Sequence, residues 1–367
     1  MTVCLSTNGP SVCHSEGPPM RLLVATLNGV DIIERASLGE PWRHVGHTLD
    51  GKHPSALMKP PGNAGVFASV HNGGIFHSVD DGRNWTPSDK GVTSGHVFSL
   101  GFNQHANGVT LYAGTEPVSL FRSDDNGANW TELPSIGKAP GHENWTFPPP
   151  PHLAHTKGYL FDARDPKVFY VCVEQGALLK TSDGGHTWRE LSSFYRPSDK
   201  WPKDIHRLVS DPRDPDRLFM ATGMGLFRSN DAGETWTELT NMEARVGYPD
   251  QIMFSPGDPS ILFASGAERD PATWRQSHQA HGTVVRSRDG GVTWQTVDKG
   301  LPSGGRANIE AMNAATWQGG FMLFAGTTDG EIYASEDGAE SWTRIVSGLR
   351  PVSKGGHFRN LQQVAAE

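Results

Sequence analysis

The chain is poor in several things that would define other kinds of protein. Helical periodicity is hard to find anywhere along it. Apolar residues come in short runs, which excludes a helix bundle or an alternating helix–strand domain. Cysteine is scarce: three residues, Cys4, Cys13 and Cys172, an odd count without framework spacing. That excludes a disulfide-stapled scaffold and places the chain in a reducing compartment, read here as cytoplasmic. Positive charge does not dominate: 32 Lys and Arg against 40 Asp and Glu give a net charge of −8, which argues against a groove that tracks nucleic-acid phosphates. No apolar run is long enough for a membrane span, so no membrane partner is expected. The opening stretch MTVCLSTNGPSVCHSEGPP lacks the basic start and apolar core of a secretory signal. It reads as a disordered lead over residues 1–19, with Met20 as an alternative translation start. The three Asn-Trp-Thr triplets, at Asn84, Asn129 and Asn144, are accordingly read as unglycosylated.

Turn residues are abundant instead, with 43 Gly and 26 Pro, and they recur in a pattern. TSDGGHTWRE, from Thr181 to Glu190, is one copy of Ser/Thr-x-Asp-x-Gly-x-x-Trp. The Asp of each recognisable copy is Asp80, Asp125, Asp183, Asp231, Asp289 or Asp337; the last copy carries Ala339 at the Gly position. An eroded copy keeps Gly39 and Trp42 but has Arg35 and Ser37 where Ser and Asp are expected. Around each box lie short apolar segments such as GYLFDA, VFYVCV and LLKTS before it and WREL after it. Each unit therefore reads as four short strands joined by turns. The box bridges the third and fourth strands. Its Asp can accept backbone N–H groups in a turn, its Gly permits positive φ, and its Trp can fill the gap between sheets. The boxes are thus read as structural staples.

These repeats resemble those of the Asp-box, or bacterial neuraminidase repeat, β-propellers. That group includes sialidases, xyloglucan-degrading enzymes, sortilin-type receptors and a photosystem assembly factor. The resemblance covers residues 21 to 364. It implies an all-β fold, a single seven-bladed β-propeller with four antiparallel strands per blade, filling residues 20–367. It implies no single activity, because one fold carries many. Neither the Arg-Ile-Pro style motif nor an arginine triad with paired Tyr and Glu is present, so sialidase activity is not expected. Closure follows from the ends: the first unit, RLLVAT, VDIIE and WRHVGH, lacks an innermost strand, and HFRNLQQV near the C-terminus is a spare one. Residues 358–364 are therefore expected to complete the first blade.

Strand order puts two long insertions, 138–157 and 267–282, on the face opposite the boxes. Loops on a rigid scaffold are where binding and catalysis concentrate. Histidine collects near the inner-strand starts on that face: His53, His96, His155, His206 and His357. Converging imidazoles predict a divalent transition metal, with Zn, Fe, Mn and Cu all compatible. Asp250 and Glu310, also at strand starts, are candidate acid and base residues. Arg207 and Arg359 are candidate ligands for a substrate carboxylate, and Trp145 and Trp274 candidate covers. The expectation is a metal-dependent hydrolase or lyase acting on a small anionic molecule. Two alternatives stand beside it: a glycan-binding or glycan-cleaving propeller, for which loop tryptophans are suited, and a non-catalytic protein-interaction scaffold.

Overall fold

A computed structural model describes residues 1–62 and 64–362. The strands form seven sheets, in which strands consecutive in the chain pair antiparallel from the inside outward, apart from two parallel strands supplied by the N-terminal residues. They are the blades of a seven-bladed β-propeller. The inner strands of blades 2 to 7 are His53–Met58, Val97–His105, His155–Phe161, Ile205–Asp211, Tyr248–Phe254 and Ile309–Trp317. The second strands are nearly continuous apolar runs, such as Phe169–Glu174 and Leu262–Ala267, because both faces of each blade are covered by neighbours. Phe67, Phe219, Phe263 and Phe324 of those strands are wholly buried between blades. Each such burial is worth about 1.5–3 kcal/mol.

The boxes form identical turns. In blade 5, Ser229 Oγ donates to Asp231 Oδ1 at 2.7 Å and accepts the Gly233 N–H at 2.8 Å. Asp231 Oδ1 then accepts the Thr235 N–H at 2.9 Å. Box tryptophans tie neighbouring blades: Trp130 Nε1 donates to the Ser88 carbonyl and Trp342 Nε1 to that of Val297. In the eroded copy, Arg35 lies over the Trp42 ring and pairs with Glu336 of blade 7, bracing the seam between blades 1 and 7 by charge.

Closure differs from expectation. Thr2–Leu5 is the innermost strand of blade 1, and it runs parallel to Arg21–Thr26. Val3 and Leu5 have no exposure and join the core between blades 1 and 7. Val12–His14 then lies along the inner strand of blade 7, again in parallel. Between them the chain crosses the central channel. Asn8 donates to the Ser55 and Phe98 carbonyls of blades 2 and 3, and the Pro10 carbonyl accepts from Asn313 of blade 7. Gly9 is required there, since a Cβ would stand 2.3 Å from the Leu57 carbonyl oxygen. The expected disordered lead is therefore a folded plug. The expected C-terminal strand is instead a helix, Gly356–Leu361, entered through the positive φ of Gly355; residues 363 and 364 of that expected strand lie outside the described residues.

Candidate functional site

Each inner strand of blades 2 to 7 carries a β-bulge near its start. The unpaired residues are Ser55, Phe98, Lys157, His206, Asp250 and Glu310. A bulge re-aims the side chain it frees. Here six bulges at equivalent places put one set of side chains around the channel on the face opposite the boxes. Two residues earlier, at each strand entry, stands a second set: His53, His96, His155, Asp204, Tyr248 and Asn308. The bulges resolve the register of the histidines. His53, His96 and His155 are equivalent to one another, and His206 is level with Lys157, Asp250 and Glu310.

The charged members form two groups. In the first, Glu174, at the end of the second strand of blade 4, receives His155 Nε2 at 2.5 Å and Lys157 Nζ at 2.6 Å. His206 Nε2 lies 3.8 Å from its other oxygen and 3.3 Å from Asp204 Oδ1. Burial alone would push the Glu174 carboxyl up; Lys157 and His155 outweigh it and hold it well below the usual range. Burial pulls the Lys157 ammonium down, with Glu174 opposing. In the second group, Asp250 pairs with Lys354 Nζ and accepts Asn308 Nδ2 at 2.8 Å. Glu310 accepts the Lys354 N–H at 2.8 Å and the Ser353 hydroxyl at 3.2 Å. His357 Nδ1 stands 3.3 Å from Glu310 and 4.0 Å from Asp250. Lys354, His357 and His206 outweigh burial at Asp250 and keep its carboxyl below the usual value. Residues Ser353 to Leu361 thus cover this part of the mouth, with Leu361 packed beside Tyr248, Ala267 and Trp274.

The five histidines therefore surround the mouth but face different partners. His155 and His206 face Glu174, His357 faces Asp250 and Glu310, and His53 lies against His71 with centroids 4.4 Å apart and planes tilted by 38°. His96 is exposed at the rim. Among the described residues, the group whose donor atoms do converge is Glu174, Asp204 and His206. Arg207 does not face a ligand space: its guanidinium donates to the Thr7 and Gly9 carbonyls and to Gln251, holding the plug. Arg359 lies on the C-terminal helix, exposed, and not on an inner strand. Trp274 is wholly buried with Nε1 donating to the Arg269 carbonyl, so it walls the site and offers no open face. Trp145, half-buried, packs on Gly176 and Val173. Glu174, Asp204 and Lys354 were not anticipated. Asp204 was within reach, because it occupies the column of His155 two residues before the bulge.

Comparison with known proteins agrees with this architecture. The Sortilin-Vps10 family model, described as sortilin, neurotensin receptor 3, matches residues 176–308. A solved ancestral GH74 enzyme superposes with a TM-score of 0.56 at 15% identity, over 79% of this chain and 38% of that one. Ycf48 from Cyanidioschyzon merolae does so at 0.52 and 17%, over 77% of this chain and 82% of that one. The chain is thus similar to sortilin-like and assembly-factor-like β-propellers. Among curated proteins, this propeller is 25% identical over 288 residues to a xyloglucanase of a Paenibacillus species, a match spanning 71% of this chain and 27% of the relative. It is 23% identical over 295 residues to the photosystem II assembly lipoprotein Ycf48 of Synechococcus sp. (strain CC9902), spanning 70% of this chain and 78% of the relative. The propeller thus spans about a quarter or less of the xyloglucanases it matches first. These relatives overturn the expectation of a metal-dependent hydrolase or lyase acting on a small anionic molecule. Six of the seven curated relatives are xyloglucanases, glycan-cleaving hydrolases.

Proposed function

We propose that this propeller is a glycan-cleaving hydrolase whose reacting carboxylates are Asp250 and Glu310. The observation that carries the reading is their placement: bulge residues of adjacent blades, facing one imidazole, His357, from two sides. Glycoside hydrolysis needs two carboxyl groups in different charge states. Asp250, salt-bridged to Lys354, is the one that stays anionic. Among the described residues no lysine or arginine side chain salt-bridges Glu310, and it is assigned the proton donor's role. The xyloglucanase relatives support xyloglucan as the substrate. The test is reducing-sugar release from xyloglucan and unsubstituted β-glucans. Wild type should release sugar, and Glu310→Gln and Asp250→Asn should each fall by about 100-fold or more per folded molecule, with the fold checked by circular dichroism. Wild type without turnover on any of these glucans overturns the reading.

A second reading has its own support. The Synechococcus assembly lipoprotein is matched over most of both chains, and the covered mouth suits a protein that binds without turnover. A non-catalytic interaction scaffold is therefore the alternative, and it gains if the glucans are neither cleaved nor bound.

A further inference from the structure

The mouth holds a place where buried polar atoms lack partners. Among the described residues, Asp204 Oδ1 and His206 Nε2 have no hydrogen bond, although both residues are 3% exposed or less. Leaving such atoms unmatched is costly, and native interiors seldom do it.

The remaining atoms of each residue are already committed outward. His206 Nδ1 lies 2.7 Å from the Pro249 carbonyl, a pure acceptor, so Nδ1 carries the proton. In the neutral ring Nε2 is then a lone pair, and it faces Asp204 Oδ1 at 3.3 Å and Glu174 Oε1 at 3.8 Å. Asp204 Oδ2 is taken by the Tyr248 hydroxyl at 3.2 Å. Glu174 Oε2 is taken by Lys157 and His155. One donor atom from each of Glu174, Asp204 and His206 lies within 4.8 Å of the other two. Lone pairs pointed at one another repel, unless something positive stands between them.

We infer that Glu174, Asp204 and His206 bind a divalent transition cation that clamps blade 4 to blade 5. The donor set, one imidazole and two carboxylates, suits zinc or manganese. The orienting bond from Nδ1–H to a backbone carbonyl is the usual support of a metal-ligating imidazole. Tyr248 and Lys157 fix the carboxylates in the same way. Gly223 makes room for Asp204, since a Cβ there would lie 2.3 Å from its Oδ2. The ion is assigned a structural role: it joins Glu174, at the end of a blade 4 strand, to the entry of the blade 5 inner strand. This inference stands apart from the glycan reading, because its readouts are metal content and melting temperature, not turnover.

The test uses the full chain, stripped by chelator and then titrated calorimetrically with zinc and, separately, manganese chloride. Binding of one ion per chain is expected, with a rise in melting temperature on loading. Asp204→Asn and His206→Ala should each weaken binding by at least 100-fold, while His357→Ala, in the second group, retains it. Should either variant fail to fold, Glu174→Gln, judged by its circular dichroism, provides the same reading. The inference is overturned if folded, stripped wild type binds neither ion. It is also overturned if binding survives Asp204→Asn unchanged, or if nitrogen NMR of the as-purified protein at neutral pH shows a proton on His206 Nε2. In that last case an imidazolium takes the place of the cation.

Discussion

His206 and Asp250 occupy the same place in neighbouring blades: each is the unpaired residue of an inner-strand bulge. His206 also holds the Pro249 carbonyl, one residue before Asp250. The two charged groups of the mouth are therefore joined through backbone. Asp250 is wholly buried beneath the Lys354 ammonium. Asp250→Ala should cost about 3–5 kcal/mol by leaving that ammonium buried without a partner. Asp250→Ala with Lys354→Met should cost clearly less than Asp250→Ala alone. A double-mutant cycle by urea denaturation measures the difference.

The plug is expected to matter more than the C-terminal helix. Leu5 has no exposure in the seam between blades 1 and 7, so Leu5→Ala should cost about 2–5 kcal/mol. Deletion of residues 356–367 should leave the ring folded, with a melting temperature lowered by only a few degrees. Thermal denaturation followed by circular dichroism separates the two. A C-terminal deletion that unfolds the protein while Leu5→Ala does not would reverse the assignment of the closing strand.

The boxes should bear on stability and not on turnover. Ser229 Oγ is buried and bonds both Asp231 and the Gly233 N–H. Ser229→Ala leaves that N–H without its acceptor and should cost about 1–3 kcal/mol. Glucan turnover per folded molecule should be unchanged, since the boxes face away from Asp250 and Glu310.

Stability should fall in two stages as pH drops. His71 is held well below its ordinary value by burial and by His53, and His53 itself is lowered by burial. Depressed imidazoles bind protons later in the folded state than in the unfolded one. Their contribution is complete above about pH 6.5 and is lost as pH falls from there. Hydrogen bonds from Asn84, Asn129 and Thr293 hold the box carboxyls of Asp80, Asp125 and Asp289 down to about 2. Their contribution persists above about pH 4 and is lost between about pH 4 and pH 2. Urea midpoints measured from pH 8 to pH 2 should trace both stages. A midpoint flat from pH 7 to pH 4.5 would remove the histidines from the account.

The repeat determined most of this protein. Each box contains within a few residues the Ser, Asp, Gly and Trp whose bonds close one turn, so the blades were legible from local spacing. The face opposite the boxes followed from strand order, and with it the residues Asp250, Glu310, His155 and His206. What the sequence could not decide were contacts between residues far apart in the chain. Parallel pairing of Thr2–Leu5 carries no hairpin signature, so the true closing strand looked like a tail, while the C-terminal helix looked like a strand. Arg207 resembled a ligand for substrate because nothing local shows that Thr7 and Gly9 arrive beneath it. The six bulges decided which side chains reach the mouth, and a one-residue shift in register turns a strand's side chains to the other face. Glu174, Asp204 and His206 come from two blades. Only the packing of those blades sets an imidazole lone pair against two carboxylates.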